Sequence, residues 1–348
     1  MKASLIVPCW NSARTLARFL DCVRAQTRGD FEAIFVDDGS TDATPALLAA
    51  ACAASRAWRL VPLAHAGVSA ARNAGLAAAT GEYVFFADPD DALRPDFIAA
   101  GVEAMERSGA DYCVFPYNER FEDESEAHFV PLQGSCDYET NEAILARHFP
   151  RLFGYSFAQV RAWYAGAPLG AHRMQGGVCW CVYRRELIER HRVRFDERIA
   201  LYEDAMFNCA YLLHAGRMAA GEGAHYDYLH DRAGAVARLR RGARELENKL
   251  ELLRARQELD AASGGRLGAL YEASCGFSAL EMLKIVLTGR APFFAGLRLV
   301  GRYLADATVR RAVAGFPLSW RHPLLASGLL ALRLWCWLAG EPKADARR

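Results

Sequence analysis

Three carboxylates fall within four consecutive positions of the stretch ADPDDAL, directly after the apolar run YVFF. They are Asp88, Asp90 and Asp91, with Pro89 after the first. Like charges this close raise one another's pKa unless a positive group lies between them. The residue types therefore pose one question of chemistry: whether that group is a helix N-terminus, an arginine or a metal ion.

A divalent metal is one answer that these residue types allow. Hard cations such as Mg²⁺ take oxygen ligands, usually one or two carboxylates plus phosphate groups of the substrate. A bound ion would also relieve the repulsion within the cluster. A surface turn is the alternative, because Asp and Pro are turn residues and Asp91 suits a helix N-cap. The D-x-D spacing alone does not decide between these interpretations.

The elements that must position this cluster follow from hydrophobic periodicity. Strands are predicted at 5–8, 31–38, 59–63, 82–87 and 111–115, with helical segments between them. The alternation predicts the α/β class with a doubly wound, mostly parallel sheet, which binds its ligands at the carboxyl ends of the strands. Polar residues follow three predicted strand ends: Pro8 to Asn11, Asp37 with Asp38, and the acidic cluster. We expect these groups to share one edge.

Composition and missing motifs narrow the class of protein. The 348 residues are 52% hydrophobic and 24% charged with a net charge of +1, which is ordinary for a soluble protein and gives no indication of nucleic-acid binding. The ten cysteines form no C-x-x-C pair and the N-terminus lacks a signal peptide's apolar core, so we expect reduced thiols and a cytoplasmic location. Neither G-x-G-x-x-G nor a Walker P-loop is present, which disfavours a dinucleotide fold.

Four segments then occur in a specific order. They are LIVPCWN (5–11), QTRGDFEAIFVDDGSTDAT (26–44), GVSAARNAGLAAATGEYVFFADPDD (67–91) and LYEDAMF (201–207). Together they resemble the inverting family 2 glycosyltransferases of the GT-A fold, over roughly residues 3–235. The resemblance implies a hexosyltransferase-type enzyme of the bacterial surface-polysaccharide kind, with a nucleotide-sugar donor, most often a UDP-sugar, and a divalent metal, Mn²⁺ or Mg²⁺.

The resemblance assigns the nucleotide site residue by residue. Asp37 and Asp38 match the base and ribose contacts, since a carboxylate accepts from a uracil N–H or a ribose hydroxyl. Pro8 and Asn11 match the backbone that shapes the nucleotide pocket, and Arg72 matches an arginine near the nucleotide. A turn with a helix cap is the alternative for the aspartates, and a structural ion pair is the alternative for Arg72.

The resemblance also assigns metal ligands. Asp90 matches the main ligand of the D-x-D motif, and Asp88 matches a second ligand or a contact to the ribose or donor sugar. His230 is a candidate third ligand or phosphate contact, and Arg232 a candidate phosphate contact. A lone histidine is more often structural than a ligand.

The segment LYEDAMF matches the catalyst that inversion needs. A base opposite the leaving nucleotide takes the proton of the acceptor hydroxyl, as an inverting glycosidase does with water. Asp204 matches the family's usual base, and Glu203 orients it or holds the role itself. Without the resemblance, Glu203 and Asp204 would be interpreted only as acids that stabilise a helix N-terminus. Trp180 is a candidate acceptor contact that stacks on a sugar, with core packing as the alternative.

The chain is expected to divide into a glycosyltransferase domain at 1–240 and a helical C-terminal region at 241–348. The domain would comprise a nucleotide-binding half, 1–120, and an acceptor half, 121–240. Residues 290–340 combine seven arginines and several aromatics with one acid, which suits a helix in a membrane interface. Packing on the catalytic domain and a dimer contact are the alternatives, and the longest apolar run is short for a spanning helix.

The expected function is therefore sugar transfer to a lipid-linked or surface-polysaccharide acceptor, at the inner face of the cell membrane. No Q-x-x-R-W motif of processive relatives is present, so a limited addition is expected. The alternatives are a sugar-nucleotide nucleotidyltransferase and a non-catalytic nucleotide-sugar-binding protein. The first would need a glycine-rich segment where PCWNS stands, and the retained acids argue against the second.

Overall fold

The computed structural model describes residues 1–121, 126–132, 134–166, 176–230, 242–317 and 323–338. Contacts within the chain divide it into two units. The first comprises the described parts of 1–149, 174–197 and 202–234, and the second those of 150–173, 198–201 and 235–348. The predicted domain division between 240 and 241 stays a prediction.

A seven-stranded sheet forms the centre of the first unit. In spatial order its strands are β10 (Met218–Ala220), β6 (Tyr112–Val114), β9 (Cys181–Arg184), β4 (Tyr83–Phe86), β1 (Ala3–Cys9), β2 (Phe31–Asp38) and β3 (Trp58–Leu63). Strand β9 is antiparallel to both neighbours, and the other pairs are parallel. The predicted α/β class with a mostly parallel sheet is confirmed.

Amphipathic and small-residue helices connect these strands. They are α1 (Ala13–Arg24), α2 (Thr44–Ala53), α3 (Val68–Ala78) and α4 (Phe97–Ser108). Helix α1 buries the face formed by Leu16, Phe19, Leu20 and Val23. Helix α3 lies unusually close to the sheet, because a Cβ at Gly75 would come within 2.3 Å of Ile6 Cγ2. This close approach fixes α3, which carries Arg72, against β1.

A second, four-stranded sheet begins at the acidic cluster. Its order is β5 (Ala92–Leu93), β11 (Tyr226–His230), β7 (Tyr117–Phe121) and β8 (His128–Val130). Strand β5 follows Asp91 directly and pairs with the start of β11, which brings a late segment of the chain to the strand-end edge. The first unit also contains α5 (Asn141–Arg147), α8 (Arg185–Arg190) and α9 (Glu203–Leu212), and α6 (Phe149–Phe153) begins at its boundary.

The described part of the second unit is helical. It contains α7 (Phe157–Tyr164), α10 (Ala243–Ala262), α11 (Gly268–Leu287), α12 (Phe293–Leu304), α13 (Ala307–Gly315) and α14 (Pro323–Leu338). Within the described ranges, no helix combines the length and the apolar character needed to cross a membrane. All ten cysteines of the chain are described, and each has a free thiol.

Candidate active site

The polar segments predicted to converge do share one edge of the central sheet. Strands β4, β1 and β2 are adjacent and parallel, so their carboxyl ends lie side by side. Asn11 follows β1, Asp37 and Asp38 end β2, and Asp88 follows β4. Regular backbone pairing therefore holds the origins of these side chains at fixed positions.

Asn11 ties two neighbouring strand ends together. Its backbone has a φ of 50°, in the left-handed region that asparagine tolerates better than most residues. Its Oδ1 accepts from the N–H of Thr41 at 2.8 Å, and its own N–H donates to Ser40 Oγ at 2.9 Å. Asp37 accepts from the N–H of Ser40 at 3.2 Å, while Pro8 is buried within β1.

Asp38 holds the loop that precedes α3. Its Oδ1 accepts from the N–H of Ala66 at 2.7 Å and its Oδ2 from the N–H of Gly67 at 2.9 Å. His65 Nδ1 lies 2.8 Å from Oδ2, and the His65 ring stacks on exposed Trp10 with centroids 4.6 Å apart. Sequence reasoning missed this aromatic pair, because residues 55 positions apart give no local signal of contact. The Asp38 carboxylate is thus engaged by the protein itself.

One buried arginine joins acids from two separate motifs. Arg72 is 3% exposed, and its Nη2 lies 3.1 Å from Asp88 Oδ1. Its Nη1 lies 2.5 Å from Asp204 Oδ1 and 3.3 Å from Glu203 Oε1. The positive group beside the acidic cluster in this structure is therefore an arginine, and the same arginine reaches the acids that start α9.

Burial and neighbouring charges shift the pKa values of the residues in this cluster. Burial raises the pKa of Glu203 to about 8, and the charge of Asp204 adds to the effect. Burial also raises the pKa of Asp204, while Arg72 opposes the shift. Burial lowers the pKa of Arg72, but the charges of Asp204 and Asp88 outweigh it and leave that pKa well above its usual value. Glu203 can thus keep a proton at neutral pH beside a permanently charged guanidinium.

The acid pair occupies the first turn of α9. Tyr202, the residue before it, has a φ of 72°, which is uncommon for a bulky side chain. Negative charge is favourable at a helix N-terminus, so this position agrees with the alternative interpretation that Glu203 and Asp204 only stabilise the helix. Arg72 adds a constraint that this interpretation does not include, because it binds Asp204 across 132 positions of chain and also contacts Asp88.

Asp91 differs from its two acidic neighbours. It is 1% exposed, and its carboxylate accepts from the Tyr226 hydroxyl at 2.5 Å and from the N–H of Leu229 at 2.8 Å. Burial and the charges of the two neighbouring aspartates raise its pKa well above the usual value. The predicted N-cap role is wrong: helix α4 starts later and has Asp96 at its N-cap. Asp91 instead holds β11 to the acidic turn.

Asp88 is held by more than Arg72. The Cys179 thiol donates to its Oδ2 at 3.7 Å, and its backbone N–H donates to the Tyr226 hydroxyl at 3.2 Å. Sequence reasoning missed both contacts, because they join residues 91 and 138 positions apart. Asp90 is exposed, and its carbonyl oxygen accepts from Arg18.

The donor set fits a divalent cation only in part. Asp88 and Asp90 offer the carboxylate oxygens that Mg²⁺ or Mn²⁺ prefers. The described residues contain no group of three histidine, cysteine or carboxylate side chains that could hold a metal ion. His230 instead stacks on Phe121 with centroids 4.2 Å apart, and its Nε2 lies 3.6 Å from Glu119. A metal would therefore need further ligands from substrate phosphates or water. Arg232, the other candidate phosphate contact, lies outside the described residues.

Trp180 lies in an aromatic cluster of the protein. Its ring stacks on Tyr117 with centroids 3.9 Å apart and meets Tyr226 and Tyr228 edge-on, each at 6.4 Å. These contacts agree with the alternative interpretation of Trp180, which is core packing. A role for Trp180 at the acceptor stays a prediction.

Residues 4–174 match the family model described as Glycosyl transferase family 2. This part of the chain is a family 2 glycosyltransferase domain. The chain is 32% identical over 239 residues to the succinoglycan biosynthesis protein ExoO of Rhizobium meliloti, covering 68% of this chain and 63% of that protein. It is 28% identical over 215 residues to the uncharacterized glycosyltransferase EpsJ of Bacillus subtilis, covering 62% and 57%. The matches thus span less than two thirds of either relative.

Solved structures share the fold of this family member. The TarS 1–349 structure from S. aureus in complex with UDP-GlcNAc has a TM-score of 0.63 at 18% identity, over 99% of this chain and 94% of that one. The TarS 1–349 structure without that ligand gives 0.61 at 17% identity, over the same shares. The predicted family and the predicted GT-A fold are therefore confirmed.

Proposed function

We propose that this family 2 glycosyltransferase moves a sugar from a nucleotide-sugar, a UDP-sugar, to an acceptor hydroxyl with inversion of the anomeric centre. The observation that carries the proposal is the bridge from Asp88 through Arg72 to Asp204. The bridge joins Asp88, the proposed donor-side acid, and Asp204, the proposed base, through one guanidinium. An inverting transfer needs a base on the face of the sugar opposite the leaving nucleotide.

Asp204 is the proposed general base. Its side chain is 24% exposed, so an acceptor hydroxyl can reach a carboxylate oxygen that Arg72 does not cover. A base must accept the proton as the hydroxyl attacks, and such transfer contributes about 10²–10⁴-fold to a rate. Glu203, with a pKa raised by burial to about 8, keeps its proton at neutral pH and orients its neighbour.

The donor nucleotide is proposed to bind at the shared strand edge. Asp37 uses its carboxylate for a single described hydrogen bond, to the N–H of Ser40, so it retains acceptor capacity for a base or ribose. Asn11 and Pro8 shape the backbone beside it. Asp38 contributes indirectly, because its carboxylate holds the loop at 65–67. A UDP complex of TarS, which has the same fold, supports uridine as the base.

A divalent metal, Mn²⁺ or Mg²⁺, is proposed to bind together with the donor. Asp90 and Asp88 would hold it, since two carboxylates plus substrate phosphates form a usual ligand set for such ions. When bound, the ion would offset the negative charge of the departing diphosphate. His230 is retained as a phosphate contact.

The acceptor is proposed to be a lipid-linked or surface-polysaccharide precursor at the cytosolic face of a membrane. The name of ExoO, a succinoglycan biosynthesis protein, supports a polysaccharide pathway. Trp180 remains the candidate for stacking on an acceptor sugar.

One screen tests the reaction class. Purified protein is incubated with a panel of nucleotide-sugars, with and without Mn²⁺, and the nucleotide released as the sugar passes to water is identified by chromatography. We expect UDP from at least one donor, and none from the Asp204→Asn variant. In a parallel reaction given UTP and a sugar 1-phosphate, release of pyrophosphate would replace this proposal with a nucleotidyltransferase. Binding of a nucleotide-sugar without turnover in either reaction would replace it with a non-catalytic role.

A further inference from the structure

The second unit exposes large apolar side chains on two helices. On α14 the residues Leu330, Leu334, Trp337 and Leu338 are 42%, 55%, 76% and 68% exposed. Their spacing of i, i+4, i+7 and i+8 puts them on one helix face. At the start of α12, Phe293 and Phe294 are 51% and 78% exposed. We refer to these six residues as the apolar surface.

Both helices also bury a separate face, so this exposure is not the result of a loosely packed element. Helix α14 buries Ala326, Leu329 and Leu332, and α12 buries Leu299, Val300 and Tyr303. The two helices adjoin, since a Cβ at Gly301 would lie 3.3 Å from the Trp335 ring. The apolar surface therefore exceeds what the unit uses for its own core, and such patches usually contact another molecule.

The exposed charges that follow Phe294 along α12 are positive. Arg298 and Arg302 follow Phe294 on α12 at i+4 and i+8, and both are exposed. Neither has a carboxylate partner among the described residues. Asp306, the acid of this region, is occupied as the N-cap of α13, where it accepts two backbone N–H groups.

Other arginines of the region are used inside the unit. Arg333 donates to the carbonyl oxygens of Val313 at 3.2 Å and Phe316 at 2.7 Å, at the end of α13. Arg290 pairs with Glu245 at 2.7 Å. Arg298 and Arg302 thus remain as exposed arginines on α12, and Arg311 is exposed on the neighbouring α13.

We propose that the apolar surface inserts into the interfacial layer of a membrane that contains anionic lipids, while Arg298 and Arg302 contact the headgroups. Trp, Phe and Leu next to arginine is the composition of helices that lie in such an interface. Each arginine near an anionic leaflet adds attraction. A symmetric second copy of the chain would bring like charges together instead, since its patch would meet the same patch. The proposal uses no residue of the candidate active site.

Vesicle flotation of the full chain tests this proposal without any substrate. Two vesicle types serve, phosphatidylcholine alone and phosphatidylcholine mixed with phosphatidylglycerol. We expect flotation with the mixed vesicles, reduced by salt because headgroup contacts are screened. The variant Leu334→Ser with Trp337→Ala should no longer float. Replacing Arg298 and Arg302 with Gln should weaken binding about fivefold for each arginine.

Matched control variants distinguish these effects from nonspecific adsorption to vesicles. Phe129→Ala removes an exposed aromatic of the first unit, and Arg56→Gln removes an exposed arginine there. Both should float like the parent. Absence of flotation, or equal flotation of the Leu334 and Trp337 variant, would overturn the proposal. So would a dimer in solution that this variant dissociates, because the apolar surface would then be a contact between copies. Equal binding to both vesicle types would overturn the role of the arginines.

Discussion

Arg72 Nη1 lies 2.5 Å from Asp204 Oδ1, and this contact connects helix α3, which packs on β1, to the start of α9. The guanidinium is buried, while the carboxylate is partly exposed. An ion pair in this setting restrains a carboxylate that is still partly accessible to solvent.

Arg72→Met should destabilise the protein strongly. It leaves Asp88, Glu203 and Asp204 close together without a cation, and breaking a buried ion pair costs about 3–5 kcal/mol. Denaturant unfolding measures the change, and Arg72→Lys should lose less because it keeps the charge. A loss in the Met variant below about 1 kcal/mol, the usual value for exposed pairs, would show that the cluster is solvated.

Asp204→Asn should abolish sugar transfer and leave nucleotide binding intact. The amide keeps the shape of the side chain but cannot accept a proton, so turnover should fall by about 10²–10⁴-fold. Calorimetric titration with UDP checks binding, and Asp21→Asn, an exposed change on α1, serves as the control. Unchanged turnover would remove Asp204 from the mechanism.

Glu203 should make stability depend on pH. Its pKa is raised from 4.5 to about 8 in the folded state, so the folded state holds a proton that the unfolded chain releases. The free energy of unfolding should therefore fall as pH rises from about 4.5 to about 8. Thermal midpoints across this range should fall less in Glu203→Gln, which cannot lose the proton. Parallel curves for the two proteins would contradict the raised pKa.

The two aspartates at the end of β2 should behave differently. Asp38→Ala removes the acceptor of two backbone N–H groups and should cost about 1–3 kcal/mol of stability. Asp37→Ala should mainly weaken UDP binding. Unfolding and titration of both variants measure this contrast, which would disappear if both carboxylates contacted the nucleotide equally.

Removal of divalent ions with EDTA should reduce turnover, and added Mn²⁺ should restore it. Asp90→Asn should need more Mn²⁺ for half-maximal rate, because it removes one of only two candidate carboxylates. The exposed substitution Asp96→Asn is the control for charge near the same turn. Full activity in EDTA would show that Arg72 and other cations suffice.

Regular elements and the family were predictable from the sequence, for reasons that the structure makes clear. The apolar runs that became β1, β2 and β4 are buried on both faces, as parallel strands must be, and so show as continuous apolar letters. The strand ends then placed Asn11 and Asp37 correctly. Long-range contacts were not predictable, because the partners of Asp88 in Cys179 and Tyr226 carry no local pattern.

The sequence by itself determined the α/β sheet, the edge where its polar segments meet and the family 2 glycosyltransferase domain, because periodicity and ordered motifs are local properties of the chain. Only the tertiary structure decided how the three acids of ADPDDAL differ. Asp91 is buried against β11, Asp90 is exposed, and Asp88 contacts Arg72. The physical reason is that burial and charge pairing depend on other segments, 16 positions away for the Arg72 partner of Asp88 and 135 for the Tyr226 partner of Asp91, which only the folded chain brings together.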